Sequence, residues 1–536
     1  MPLTAHQMFC QLTDMKLSVV TVFVCIFCHI NSSKILVITS MPSYSHFTLA
    51  FRLAKELADR EHEVSFINPY PQKTPIKHLK DISIEEVKPF VAEVRKTFAA
   101  LGEWGSIGSH LIDLRLSVGL IEHTFNSTNV QNLLNSEESF DVVVIEHFIN
   151  EPLVGIAHHF KAPVIFLAPV ASCFRNNYIF GNPGPSSYVP DILGIYTKHM
   201  NFWQRLKNFI MMSFHDLWRE LVMIPKYRTL FKKYTKTDFE LDDVLYNVSL
   251  ILTTSHPSIS DAVPHFPNII EIGGYHVFPP KKLSEDLQDF LDTATEGVIL
   301  FSMGSNLKSK DLTLNVRNAV LKSFAKIKVK VLWKFEDDLL EAPSNVKIMS
   351  WLPQQDVLAH PNIKCFITHG GLLSTIEAVY HGVPLIGIPV FGDQRSNVAA
   401  AVNSGYAVSV PLDELTEENF SAALSEILYN ARYRNNVKQR SKIMHDQPLK
   451  PIDSAVYWIE HVIRHKGAVH LRSSGSDLKW YSRGMIDILT FLGFTILIST
   501  LVAYSILKAC AKKLFLRKKK AKKSSSKIKK TGQPLK

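Results

Sequence analysis

The sequence predicts an α/β protein of two Rossmann-like domains facing a cleft, followed by a C-terminal transmembrane helix. Three observations carry that expectation. Short apolar runs alternate with stretches of helical periodicity twice over, once on each side of the Gly-, Pro- and Lys-rich segment Gly273 to Leu283. Such alternation favours parallel sheets built with right-handed crossovers. Ile488 to Leu507 is a run of 20 residues without a formal charge, which at about 1.5 Å per helical residue covers about 30 Å. Finally, 536 residues with 46% hydrophobic content exclude a disordered chain and a minimal stapled fold.

The elements follow in order. Lys16 and the apolar stretch Leu17 to Cys28 precede Asn31, Ser32 and Ser33, the pattern of a secretory signal over residues 1–33, with Met15 as an alternative start. Lys34 to Thr39 reads as a buried strand, Met41 to His46 as a loop, Phe47 to Glu61 as a helix and Val64 to Ile67 as the next strand. Asp141 to Ile145 and Pro163 to Leu167 continue the sheet. Tyr188 to Tyr234, rich in Phe, Trp, Met and Lys, reads as a helical insert that packs on the core, lines an apolar pocket or touches a membrane. The first domain is placed at 34–275 and an exposed linker at 276–290. Strands at Gly297 to Ser302, Val329 to Trp333, Val346 to Met349, Cys365 to Thr368 and Leu385 to Ile388 build a second domain over 291–450. A returning helix and juxtamembrane segment (451–485), the span (486–507) and a basic tail (508–536) complete the chain.

The net charge of +11 invites a nucleic-acid reading until it is partitioned. Lys508 to Lys536 holds 13 Lys and Arg and no acid, leaving the other 507 residues at −2. The charge is a cytosolic anchor by positive-inside bias, with the body lumenal in a single-pass type I arrangement and no nucleic-acid partner. The body keeps only Cys173 and Cys365, too few for a disulfide framework or a cysteine zinc site. Sequons at Asn126, Asn247 and Asn419 agree with a secretory route.

Chemistry concentrates between Trp351 and Asn397. A strand ending in Thr368 runs into His369-Gly370-Gly371 and then a helix that closes at Gly382 before Pro384. Glycines at a strand-to-helix junction let backbone amides approach a phosphate, and the helix end adds positive potential. Neither a Gly-x-Gly-x-x-Gly nor a Walker sequence is present, so the anion site belongs to neither class. Glu377, two turns along that helix, is placed to accept from ribose hydroxyls or else is a solvated charge.

The segment resembles the signature of the membrane-bound UDP-glycosyltransferase family, the UDP-glucuronosyltransferase-like enzymes, and Thr368-His-Gly-Gly-Leu-Leu-Ser-Thr-Ile-Glu-Ala is most similar to invertebrate members. The resemblance extends from the leader to the basic tail and implies a GT-B fold. It implies that Trp351 stacks on uracil and Gln354 bonds its edge, that Ser305, His369 and the Gly371 backbone meet the diphosphate, that Glu377 binds ribose, and that Asp393 and Gln394 hold the transferred sugar. Where vertebrate members have Asn, this chain has Leu373, and Ser374 stands in for the phosphate contact. His46 matches the family's general base, and Glu146 occupies the position of its partner aspartate, with Glu151 a second candidate.

The implied activity is inverting, metal-independent hexosyl transfer to a small lipophilic hydroxyl compound, with no cofactor and with residence in the endoplasmic reticulum membrane. Asp337-Asp338 and Asp242-Asp243 read as surface charge rather than metal ligands. In vertebrate glucuronosyl members an arginine before the interdomain Gly-Gly pair holds the sugar carboxylate; residues 261–272 here contain no Lys or Arg, which favours UDP-glucose over UDP-glucuronate. Two alternatives stand beside this reading: a non-catalytic nucleotide-sugar-binding membrane protein, and a ceramide or sterol glycosyltransferase. A homo- or hetero-oligomer is compatible with the sequence.

Overall fold

The computed structural model describes residues 32–96, 105–305, 309, 312–336 and 342–530. The apolar leader and the Asp337-Asp338 pair lie outside them. Two compact units result, a body running to Ser476 and a C-terminal unit from Asp477.

The body holds two parallel sheets. The first comprises β1 (Lys34–Ile38), β2 (Glu63–Asn68), β3 (Leu79–Ser83), β4 (Val142–Glu146), β5 (Val164–Ala168), β6 (Leu250–Thr253) and β7 (Ile269–Glu271), in the order β3-β2-β1-β4-β5-β6-β7. The second comprises β8 (Val298–Ser302), β9 (Lys330–Lys334), β10 (Val346–Met349), β11 (Ile363–Thr368), β12 (Leu385–Gly387) and β13 (Ala407–Ser409), in the order β10-β9-β8-β11-β12-β13. Strands β4, β5 and β8 are buried along their whole length, as expected for parallel strands covered on both faces. Four strands escape the sequence patterns. β3 is an edge strand with Lys80 exposed, and β6, β7 and β13 are only three or four residues long.

Helix α1 (Tyr44–Asp59) lays Phe47, Ala50, Leu53, Ala54 and Leu57 on the first sheet. It begins three residues earlier than its apolar periodicity suggests. The aromatic insert folds as α2 (Phe202–Trp218), a π-helical turn at Arg219–Met223, and α3 (Ile224–Thr235). Pro225 has no N–H to donate, and the π turn just before it absorbs the irregularity. Helix α3 buries Tyr227, Leu230 and Phe231 in the first domain's core, whereas α2 buries only Asn208, Met212 and His215. In the second half, α4 (Leu372–Tyr380) and α5 (Gln394–Asn403) follow β11 and β12. Asp242 is bonded to Arg228, and Asp243 caps the backbone N–H of Glu240, so this pair is committed within the fold.

The interdomain segment corrects one expectation. Ile272 to His276 is buried rather than exposed. A side chain at Gly273 would place its Cβ 2.4 Å from the Ser255 carbonyl oxygen, so the close backbone approach requires glycine there. Of the expected linker 276–290, His276, Leu283 and Leu287 are buried, and Pro279 to Lys282, Ser284 to Asp286 and Asp289 are exposed.

Helix α6 (Pro451–Arg464) returns to the first domain. Ile452, Ala455, Val456, Ile459 and Val462 join the core beside β1, β2 and α1, and Arg60 pairs with Asp453.

The C-terminal unit contains α7 (Ile486–Lys530), the one helix among the described residues long and apolar enough to cross a membrane. The sequence pattern ends the span at Leu507, yet the helix continues to Lys530. Lys, Arg, Ala and Leu are all good helix formers, so the basic tail sustains the helix beyond its apolar window.

The second domain's core centres on Trp333, which is fully buried and stacks on Phe301 with ring centroids 4.9 Å apart. Replacing it with alanine (Trp333→Ala) is expected to cost about 3–5 kcal/mol, read as a lower denaturation midpoint of the detergent-solubilised protein.

Candidate active site

In the first sheet, β1 and β4 are neighbours although α1, β2 and β3 intervene in sequence. The strand order reverses there, and a crevice opens at their carboxyl ends. After β1 the chain turns through residues 39–43 into α1, which puts His46 in the first helical turn. Glu146 is the last residue of β4. His46 Nδ1 and Glu146 Oε1 are 2.7 Å apart. A carboxylate only accepts, so Nδ1 donates and Nε2 remains to take a proton. Thr39 Oγ1 donates to the other carboxylate oxygen at 3.2 Å, and Asn150 Nδ2 donates to the Glu146 carbonyl at 2.8 Å. The Phe148 ring lies edge-on to the imidazole at 4.7 Å. Glu146 is fully buried, while the His46 side chain keeps 14% exposure. The longer glutamate thus reaches the ring from the strand end itself. Glu151 is turned elsewhere: its Oε1 lies 3.6 Å from His147 Nε2. Burial alone would raise this carboxyl, but His147 and Arg219 hold it below its ordinary value.

The second sheet repeats the device, with β8 beside β11. Gly304 and exposed Ser305 follow β8, and His369-Gly370-Gly371 follows β11. Gly304 has φ +85°, and a Cβ there would sit 2.6 Å from His369 Cε1; one at Gly371 would sit 2.6 Å from its Nε2. Both glycines are therefore required if the loops are to close around the imidazole. Loss of solvent and neighbouring Lys334 push His369 down to about 4, so the ring is a neutral donor. Gly371 caps α4 without a side-chain hydrogen bond, leaving first-turn amides for an anion.

Glu377 is buried rather than solvated. Gln354 Nε2 donates to its Oε2 at 2.6 Å and to Ser374 Oγ at 3.0 Å, and Gln355 Nε2 donates to its Oε1 at 3.1 Å. Burial pushes the carboxyl up to about 7 against these two amides. Ser374 thus lies with the Glu377 group, and Leu373 packs against the first domain's core. Trp351 is 56% exposed and meets Tyr44 of α1 edge-on at 5.6 Å. Asp393 caps α5, accepts from Asn397 Nδ2 at 2.8 Å, and is raised by burial against the opposing pull of His46. Gln394 turns its Oε1 to the backbone N–H groups of Val390 and Phe391.

The comparisons bear on this geometry. A family model described as UDP-glucoronosyl and UDP-glucosyl transferase matches residues 34–524. The chain belongs to the UDP-glycosyltransferase family. UDP-glucosyltransferase 2 of Dactylopius coccus is 32% identical over 499 residues, covering 89% of this chain and 93% of its own length. Human UDP-glucuronosyltransferase 2B7 is 30% identical, covering 90% and 93%. Among solved structures, the glycotransferase of kitacinnamycin aligns with a TM-score of 0.55 at 17% identity, over 80% of this chain and 99% of that one. Spinosyn forosaminyltransferase SpnP gives 0.53 at 16%, over 81% and 99%. The fold is GT-B, and the family transfers sugars from UDP-sugars to acceptors.

Within this UDP-glycosyltransferase, three residues join the site that motif reading missed. Lys334, the last residue of β9, donates to the Gly304 carbonyl at 2.7 Å and to Glu336 Oε1 at 2.9 Å, with its ammonium 5.5 Å from the Trp351 ring centroid. A lysine closing the otherwise apolar run Val331-Leu-Trp is the signal that could have found it. Tyr44 and Gln355 carried no such signal.

Burial also holds His276 and His381 down to about 4. With His369, they stay neutral in the fold to about pH 4, whereas an unfolded histidine titrates near 6.5. The stability these rings contribute is complete above 6.5 and is lost as pH falls toward 4. Glu377 runs the other way: its contribution is complete below 4.5 and lost as pH rises through about 7. The melting temperature is expected to drop on acidification from 6.5 to 4, with a shallower slope in His276→Asn.

Proposed function

We propose that the protein is an inverting, metal-independent UDP-hexosyltransferase acting on small lipophilic hydroxyl compounds. The observation that carries this is the His46–Glu146 pair, set at one switch point with Asp393 of the second half within electrostatic reach. His46 Nε2 removes the acceptor hydroxyl proton as the oxygen attacks the anomeric carbon. Glu146 holds the ring and stabilises the imidazolium that forms. The bond from that carbon to the UDP oxygen breaks on the opposite face, so configuration inverts. The leaving diphosphate meets Ser305, His369, the Gly371 backbone and the α4 terminus. Trp351 offers an exposed face for uracil. Gln354 retains its carbonyl oxygen for the base edge, and Glu377 accepts from ribose hydroxyls. Asp393 and the Gln394 amide nitrogen bond the sugar.

UDP-glucose is the favoured donor because residues 261–272 carry no cation for a sugar carboxylate. The relatives' names include both glucosyl and glucuronosyl transfer, so a donor panel on microsomes decides; strict UDP-glucuronate preference would overturn the assignment. The body is proposed to be lumenal in the endoplasmic reticulum, with the basic tail cytosolic. Asn126, Asn247 and Asn419 are all exposed, and N-glycosidase treatment should shorten the apparent mass on gels.

His46→Ala is expected to lower kcat for UDP release with a phenolic acceptor by about 10²- to 10⁴-fold, with activity unaffected by EDTA. Equal rates in both proteins would favour a non-catalytic nucleotide-sugar binder, and loss of activity in EDTA would overturn metal independence. UDP affinity, measured by calorimetry, should tighten as pH rises through about 7 and Glu377 ionises. Glu377→Gln should bind more weakly and without that pH dependence.

A further inference from the structure

A glutamate side chain turns about χ1, χ2 and χ3, and the imidazole that Glu146 orients cannot fix all of them. Glu146 steers the His46 ring through Oε1 and Nδ1 at 2.7 Å, so a carboxylate held only by that ring would give the ring no fixed reference. A third group must hold it from outside the pair, and Thr39 stands there. Its Oγ1 donates at 3.2 Å to Oε2, the carboxylate oxygen that His46 leaves free. Among the described residues, Thr39 is the one hydrogen-bond donor to Oε2. It is the first residue past β1, it is fully buried, and its own N–H is anchored on the Ile67 carbonyl at 2.9 Å. A branched Cβ restricts χ1, so the hydroxyl is a stiff donor.

The main-chain end of Glu146 is held as well. Asn150 Nδ2 donates to the Glu146 carbonyl at 2.8 Å and to Ser40 Oγ, next to Thr39, at 3.1 Å, and its Oδ1 accepts from the Phe148 N–H at 3.0 Å. Between Phe148 and Asn150, Ile149 has φ +49°, a left-handed conformation that a β-branched residue rarely adopts. The Tyr227 hydroxyl donates to the Ile149 carbonyl at 3.2 Å. The turn after β4 is thus closed against local backbone preference, and the strain sits where the carboxylate is delivered. Other titratable groups face the pair without bonding Oε2. Burial and then the charge of Glu146 raise the Tyr275 hydroxyl well above its ordinary value, with Arg52 pulling the other way. Asp393 is coupled to His46 from the second domain, and His147 and Glu151 face each other.

We propose that Thr39 is a positioning residue for the transfer, the fixed end of a chain running from Thr39 through Glu146 to His46. The assignment rests on His46 being the base, as proposed above. Without the hydroxyl, Oε2 is buried with no donor. The carboxylate then loses its fixed point and turns more of its charge on the imidazole, so the pair takes up a proton at higher pH.

The test compares Thr39→Val, which keeps the shape and removes the donor, with Thr39→Ser, which keeps the donor, in the full-length protein in microsomes. UDP release with a phenolic acceptor is followed against pH, with His46→Ala measured alongside. Thr39→Val is expected to lose about 10-fold in kcat with KM for the UDP-sugar unchanged. The acidic limb of its kcat/KM profile should move upward by about one pH unit. Thr39→Ser should stay within about threefold of the parent rate and keep the parent limb. A threonine that served packing alone would lower the melting temperature of Thr39→Val and leave the limb in place. That result, or an equal loss in the two variants, would overturn the assignment. If His46→Ala keeps the parent rate, the base falls and Thr39 with it; if His46→Ala is inactive while Thr39→Val is unimpaired, only the role of Thr39 falls. Should Thr39→Val fail to fold, Thr39→Ala carries the same comparison.

Discussion

Two parallel strands whose outgoing connections diverge open a crevice at their carboxyl ends, and each sheet of this protein does this once, between β1 and β4 and between β8 and β11. His46 and Glu146 hang from the first opening, and Gly304, Ser305, His369 and the α4 terminus from the second, while Lys334, Trp351 and Asp393 come from the ends of β9, β10 and β12. His46 and Glu146 are 100 residues apart in sequence and 2.7 Å apart in space because the strands that deliver them are neighbours. Gly304 and His369 meet for the same reason. The chemistry depends on strand order before it depends on any single side chain, since no local motif can bring a base to its carboxylate across that distance.

This dependence explains what could be read in the sequence. The loop after β11 was legible because its glycines, His369 and the helix that follows are contiguous, and their geometric demands leave a local trace. His46 was legible from its strand-loop-helix placement and the family resemblance. The choice between Glu146 and Glu151 was not, because five residues separate them and only the end of β4 decides which reaches the imidazole. Lys334 hid in an ordinary strand, and Gln355 in a helix of five residues. The buried first half of the interdomain segment was misread because Gly, Tyr and His look like a loop until Ser255 and Glu377 are seen against them. Helix α2 showed its apolar periodicity plainly, but sequence cannot say which face of a helix the fold covers.

The Glu377 carboxyl is held in place by its neighbours. Two glutamine amides hold the carboxylate oxygens, and Gln355 also accepts from the Phe278 N–H in the interdomain segment at 3.4 Å. The two halves of the body are coupled through neighbouring side chains as well as through the chain. Tyr44 of the first helix touches Trp351, and Leu373 reaches the first domain's core. In the first domain, the π turn after α2 brings Arg219 near Glu151, five residues beyond Glu146.

Helix α6 has a consequence for how the molecule is made. Its five buried residues complete the core around β1, β2 and α1, although they are synthesised some four hundred residues after those strands. A ribosome that has delivered the whole first sheet has delivered a domain with an open flank. That flank stays open while the entire second domain emerges and folds, and it closes only when the last helix of the body arrives, shortly before the apolar C-terminal helix. Truncation anywhere before residue 451 therefore removes part of the first domain's core as well as the end of the chain.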